Sequence, residues 1–489
     1  QEENKETKIM ENKESDISNI NYNLDFSITK SKTERHLKTI ALCVTLGGLL
    51  FGVDTGVING ALPYMAKKQE LNLNAATEGL VTSSITLGAA FGAIFAGRLA
   101  DRYGRKRILF YLSIIFFFCT AICSLAPNAI IMMIFRFLLG LAVGGASVIV
   151  PTFLSEVATV KLRGPLVTQN EIMITGGQLL AFVVNAILGN IFVNVSNIWR
   201  YMIAFGMVPS ALLFIGTLIV PESPRWLIMK GKTETALKIL KGIRSNKQES
   251  QQEITQIQAA LKKEKEVSHI SWHDLKKPWI RKLIILGSGL GIVQQVVGIN
   301  IIMYYGTTVL IKAGFTHNIA LITNIANGIV SVLATYTGMR LMNHINRRKM
   351  LLTGITGTGG ALALITLFSQ MLPHSKLLPV CVVFLTLIFL SFFQGCISPT
   401  IWLLMSEIFP QNLRGLGMGI SAFFLWMANF LVGFLFPIFL TYFGFSITFG
   451  IFVLCNLISF IFVYKFAPET RNKSLERVQL ELRAKINKH

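Results

Sequence analysis

The sequence predicts an all-α membrane protein, with twelve transmembrane helices in two pseudo-symmetric six-helix bundles. Three observations predict it. The 489-residue chain is 52% hydrophobic, contains 35 Phe and has a mean hydropathy of +0.56, a composition for a lipid solvent rather than for several soluble domains. It holds about twelve apolar runs near the roughly 20 residues that a hydrocarbon core demands. It also writes one charged signature twice, 251 positions apart: Ser155-Glu156 to Arg163-Gly164, and Ser406-Glu407 to Arg414-Gly415. Duplicated halves are a property of secondary transporters.

The elements follow in order. Residues 1–37 are polar, of mixed charge and without an apolar core; they read as a disordered cytoplasmic tail and not as a signal peptide. The first half, 38–220, holds runs 38–62, 77–99, 108–126, 130–151, 166–190 and 200–220. The second run ends at Asp101-Arg102-Tyr103-Gly104-Arg105-Lys106-Arg107, the fourth at the Ser-Glu signature and the sixth at Pro221-Glu222-Ser223. Residues 221–280 are rich in Lys, Glu and Gln. Within them, Glu234 to Leu240 and Glu253 to Lys265 predict short amphipathic helices in a cytoplasmic linker. The second half, 281–467, holds runs 281–303, 317–341, 350–371, 379–404, 415–437 and 444–467, and 468–489 form a cytoplasmic tail. Here the punctuation returns as Asn343 to Lys349, Ser406-Glu407 and Pro468-Glu469-Thr470, at offsets of 242, 251 and 247. Three matched pairs in one order make duplication the reading.

Net charge is +21. We read it as positive-inside topology and not as a nucleic-acid surface. With both termini cytoplasmic, the short inner loops carry Arg102, Arg105, Lys106, Arg107, Lys161, Arg163, Arg340, Arg347, Arg348, Lys349 and Arg414, against Lys67, Lys68, Arg200, Lys312 and Lys376 outside. The expected location is the plasma (inner) membrane, with the lipid bilayer as partner and a monomer as the working unit. The six Cys lie in apolar runs and read as packing residues, and the seven His read as tail or loop residues. Neither pattern implies a metal or a cofactor. No catalytic cluster is present, so an enzyme is not expected.

Opposite charges recur at the inner helix ends: Asp101, Arg102, Arg105, Glu156, Arg163, Glu222 and Arg225 in the first half, with Arg347, Glu407, Arg414 and Glu469 in the second. Each exposed pair contributes about 0–1 kcal/mol. A network of them can bias a balanced two-state equilibrium by holding the inner face closed. Asn343 and Asn346 replace Asp101 and Gly104 in the second copy, which should weaken it.

Ionisable groups inside a span are expensive and mark function. Asp54 in the first run, Arg136 in the fourth and Glu171 in the fifth are the candidates. A carboxylate beside an arginine is a plausible proton site. The cation favours the ionised acid while burial opposes it, so protonation depends on conformation. The second half is polar without charge: Gln294, Gln295, Asn300, Tyr304, Asn327, Trp402, Trp426 and Asn429. Amides offer donors and acceptors to hydroxyls, and Trp offers a flat apolar wall to ring C–H groups. This set suits a small neutral polyol or sugar.

These motifs resemble the sugar porter family of the major facilitator superfamily, over essentially all of 38–475. They are Gly97 to Lys106, Arg136 with Gly140, Pro221-Glu-Ser-Pro-Arg225-Trp226, Gln294-Gln295 with Gly298 and Asn300, Pro399 with Trp402 and Ser406 to Pro410, and Pro468-Glu-Thr470. Within the family the chain looks most like bacterial proton-coupled myo-inositol transporters, through Leu71 to Asn74, Glu78 to Ser84, Thr168 to Glu171 and Gly177-Gln178 to Phe182. The resemblance implies a central site and rocker-switch alternating access, with Asp54 as proton acceptor modulated by Arg136. It also implies sugar contacts from Gln294, Gln295, Asn300, Tyr304, Asn327 and Trp402; Gln178, Glu171, Trp426 and Asn429 complete the candidate set. Glu171 and Leu425 depart from pentose and hexose members and favour inositol. A xylose or hexose symporter and an uncoupled facilitator are the alternatives.

Overall fold

The computed structural model describes residues 35–158, 163–244, 246–266, 276–342, 344–373 and 375–471. Residues 1–34, Lys161, Asn343 and 472–489 lie outside the described residues, as does the side chain of Arg163. Among the described residues there is no strand.

The first half consists of α1 (Arg35–Met65), α2 (Ala75–Tyr103), α3 (Arg105–Ser124), α4 (Ala129–Val157), α5 (Arg163–Ile191) and α6 (Ile198–Ile219). The linker carries α7 (Pro224–Met229), α8 (Thr233–Ile243) and α9 (Lys247–Glu266). The second half begins with α10 (Pro278–Ala313), α11 (His317–Leu341), α12 (Arg347–Met371) and α13 (Leu378–Ile408). A helical stretch Gln411–Phe466 follows. Its 56 residues would run about 84 Å as one rod, far beyond a bilayer. It breaks at Gly444 (φ 78°, ψ 177°), a left-handed position that glycine takes without strain. The break yields α14 (411–443) and α15 (445–466), so two six-helix halves result.

Helices overrun the apolar runs. α4 extends past 151 to Val157, and α10 continues past 303 to Ala313. Hydropathy marks where hydrocarbon ends, whereas a backbone ladder continues into the interface at no extra cost. α10 is nevertheless bent: Gly298 has φ +105°, separating Pro278–Val296 from Ile299–Ala313. α13 carries a π-turn at Phe393–Ile397, just before Pro399, whose missing N–H would interrupt a regular ladder.

Large side chains such as Phe118, Leu333, Phe384 and Tyr464 are exposed on the outside, as lipid-facing surfaces require. The linker is seated on the first half: Ala236, Leu240, Ile243 and Ile254 are buried in one cluster with Leu37, Phe153 and Val157. Buried Arg244 fixes it there. It pairs with Glu253 at 2.6 Å and donates to the carbonyl oxygen of Val157 at 3.1 Å, at the end of α4. His317 corrects the loop reading of the histidines. It opens α11, and its ring meets Tyr64 of α1 at 4.2 Å between centroids.

Candidate substrate and proton site

Four helices of the first half, α1, α2, α4 and α5, build the charged wall. Arg136 on α4 is 1% exposed and places Nη1 and Nη2 each 3.4 Å from the Asp54 carboxylate on α1. Its Nε donates to Val81 O on α2 at 2.7 Å, and Nη2 reaches Thr82 O at 3.4 Å. The guanidinium is therefore held by α2 backbone as well as by Asp54. Charge-assisted bonds usually run about 2.7–2.9 Å, so the Asp54 contact is a loose one. The Asp54 side chain keeps 13% exposure. On α5, Glu171 and Gln178 lie seven residues, or two turns, apart and share one helix face. Glu171 is half-buried and Gln178 buried.

The second half supplies the neutral wall. Gln294 and Gln295 precede the Gly298 bend, and Asn300 and Tyr304 follow it. Asn300 Nδ2 donates to Gln295 Oε1 at 2.6 Å, a bond that spans the bend. Tyr304 donates to Asn429 Oδ1 on α14 at 3.3 Å. Asn327 Nδ2 donates to Asn324 Oδ1 at 2.9 Å along α11. Trp426 meets the edge of Phe51 from α1 at 5.5 Å, which joins the halves at the depth of the site. Trp402 packs against the cluster containing Trp426 and also against the large core cluster to which both halves contribute.

Several buried polar atoms in this set have no hydrogen-bond partner: Gln178 Oε1, Gln294 Oε1, Asn327 Oδ1 and Trp426 Nε1. Leaving each unsatisfied costs about 1–3 kcal/mol. Three acceptors and one donor, all neutral, are groups that hydroxyls of a ligand can satisfy. Among the described residues, no group of His, Cys, Asp and Glu could hold a metal.

One polar centre escaped the sequence reading. Asn59, on α1 beyond Asp54, donates to Ile302 O at 3.0 Å and Met303 O at 2.8 Å on α10. Its Oδ1 accepts from Thr307 N at 2.9 Å, Thr307 Oγ1 at 2.7 Å and Asn324 Nδ2 at 3.3 Å. The signal was present: an amide set in the apolar run Val57-Ile58-Asn59.

The charged helix ends pair across helices within each half. Arg105 pairs with Asp101 at 2.7 Å and Glu156 at 3.0 Å, and Glu222 accepts from the backbone N–H of Arg105 at 3.0 Å and Lys106 at 3.1 Å. In the second half Arg347 approaches Glu407 at 3.9 Å, and Glu469 accepts from the N–H of Arg347 and Arg348 at 3.1 Å. Ser223 donates to Glu156 and Thr470 to Glu407, each at 2.5 Å. All of these bonds lie inside one half. In the first half they tie the ends of α2, α3 and α4 to the segment after α6, and in the second half those of α12 and α13 to the segment after α15. Arg102 rests on the Tyr103 ring, Arg225 lies on α7, and Arg414 has its Nε buried without a hydrogen-bond partner.

Two six-helix halves around a buried, mostly neutral polar site define a secondary transporter of major-facilitator architecture. The chain belongs to the family described as Sugar (and other) transporter, whose model matches residues 40–482. It is 53% identical to the major myo-inositol transporter IolT of Bacillus subtilis (strain 168) over 448 residues, which is 92% of this chain and 94% of the relative. It is 36% identical to the D-xylose transporter of Levilactobacillus brevis, over 90% and 94% of the two chains. Among solved structures, the xylose transporter XylE from E. coli in a partially occluded inward-open conformation matches with a TM-score of 0.78 and 28% identity, covering 90% of this chain and all of that one.

Proposed function

We propose that this protein imports myo-inositol, or a polyol of the same shape, together with protons by alternating access in the plasma membrane. The observation that carries the reading is the set of unsatisfied neutral atoms, Gln178 Oε1, Gln294 Oε1, Asn327 Oδ1 and Trp426 Nε1, set alongside the Asp54–Arg136 pair. A cyclitol presents hydroxyls around its whole rim and C–H groups on its faces. The amides suit the first and the Trp402 and Trp426 rings the second. Identity of 53% to a myo-inositol transporter, against 36% to a D-xylose transporter, favours the same substrate.

Asp54 is the proposed proton carrier, with Arg136 as its modulator, and Glu171 a substrate contact from α5. The linker face, which carries the excess of Arg and Lys, is proposed to be cytoplasmic, with a monomer as the transporting unit. The second reading, a xylose symporter, draws on the likeness to XylE.

The test is uptake of labelled myo-inositol by proteoliposomes holding the purified protein, with unlabelled competitors. Excess myo-inositol should suppress the signal strongly, and xylose, glucose and galactose weakly. Xylose transport that excess inositol fails to inhibit would overturn the substrate assignment.

A further inference from the structure

A crevice of about 700 Å³ opens on the outer surface of the second half, at its linker end, between α12, α13 and α15. Its rim is cationic, with Arg348 and Lys349. Its floor is apolar, with Leu352, Gly357 and Phe392. Lys349 is exposed and has no ion-pair partner among the described residues. Arg348 donates one Nη2 bond to Tyr464 O and lies 5.2 Å over the Tyr464 ring, while its Nε is buried without a partner. Arg471 reaches the same rim by a 3.4 Å bond to Asn346. The carboxylate in the lining, Glu469, is occupied by the backbone N–H groups of Arg347, Arg348 and Arg471. Against that one carboxylate the lining sets two cations, Arg348 and Lys349, so the rim is net positive.

The pseudo-symmetry isolates what is special here. The offset of 242 that matches Arg105 with Arg347 sets Phe110, Tyr111, Ile114 and Ile115 against Leu352, Thr353, Thr356 and Gly357. In the first half these positions carry large side chains over the corresponding space, and Phe110 packs on Phe214 at 5.1 Å. In the second half the small ones leave it open. At Gly357 any Cβ would strike the Phe392 ring, so the floor depends on its absence. The rim lies at the start of α12, where charged residues give way to the apolar run. This is the depth at which lipid phosphates reside.

We propose that this crevice binds an anionic glycerophospholipid, its phosphate between Arg348 and Lys349 and an acyl chain along Leu352, Gly357 and Phe392. Basic pockets between helices at the membrane surface recognise such head groups. A free phosphate would use the rim and leave the apolar floor against water, so the lipid is the better occupant. The proposal does not depend on the transported substrate.

The test mixes the purified full chain in detergent with phosphatidylglycerol or phosphatidylcholine of equal chain length and counts retained lipids by native mass spectrometry. Wild type should prefer phosphatidylglycerol, and Lys349→Gln should reduce that preference roughly fivefold, the worth of one cation near a lipid surface. Thr356→Ile, which narrows the crevice without altering charge, should lower phosphatidylglycerol retention as well. Equal retention of both lipids by wild type, or wild-type retention in both variants, overturns the proposal. Displacement of the lipid by an equal concentration of glycerol 3-phosphate also overturns it, because the site would then be one for a soluble anion.

Discussion

Asp54 is an acid held loosely. Both guanidinium nitrogens of Arg136 stand 3.4 Å from its oxygens, while the same guanidinium bonds Val81 O at 2.7 Å. Protonating Asp54 would release one partner of Arg136 and leave the backbone partners in place. Removing one member of a buried pair outright costs about 3–5 kcal/mol, so the informative change keeps the shape and the hydrogen-bonding capacity. Asp54→Asn does so. In the variant, labelled substrate should still exchange across the membrane but should not accumulate beyond equilibrium. Protonation loads the carrier in the proposed cycle, so acidifying the outside should speed wild-type uptake and leave the variant flat. Accumulation by the variant that still follows the pH gradient would remove Asp54 from the coupling role.

At the scale of the element, α10 decides how the neutral wall is shaped. Its bend at Gly298 (φ +105°) puts Gln294 and Gln295 on one helical segment and Asn300 and Tyr304 on the next. The 2.6 Å Asn300–Gln295 bond closes the angle between them. A side chain in this left-handed conformation costs about 1–2 kcal/mol. Gly298→Ala should therefore lower the melting temperature in detergent and raise the KM for substrate. An unchanged melting temperature together with an unchanged KM would mean the bend is not needed. The bend also marks what the sequence could convey. Asp54, Arg136 and the amides of α10 were legible because a polar residue in an apolar run is conspicuous by itself. The duplicated punctuation was legible for the same reason, and in the structure Arg105, Glu156 and Glu222 stand as Arg347, Glu407 and Glu469 do. Which helices those charges bridge was not legible, because hydropathy reports solvent and not neighbours. The five bonds of Asn59 to α10 and α11 cross 243 to 265 positions of sequence, and no local pattern announces a contact of that separation.

For the molecule as a whole, the two ends of the bundle are built differently. At the linker end, the charged latches bind helices within each half. At the far end, the halves hold each other. Asn59 is locked into α10, the Tyr64 ring meets His317 on α11, and α2 comes so close to α14 that a Cβ on Gly79 would strike the Phe434 carbonyl. Two bodies sealed at the far end can separate at the linker end. Asn59 is the concentrated point of the seal, because one side chain satisfies two carbonyls and three donors of the opposite half. Asn59→Ala removes all of them; the helix keeps its own ladder and Asn324 Nδ2 still donates to Thr307 Oγ1 at 2.8 Å, so the total loss is about 1–3 kcal/mol. A loss of about 1.4 kcal/mol moves a two-state equilibrium tenfold. The variant should therefore populate the conformation that opens the far end roughly tenfold more. A cysteine placed at Lys67 on the far end and a second at Lys312, each carrying a spin label, would report this as a longer interlabel distance in a larger fraction of molecules. An unchanged distance distribution in Asn59→Ala would show that the seal rests on the packed helices alone.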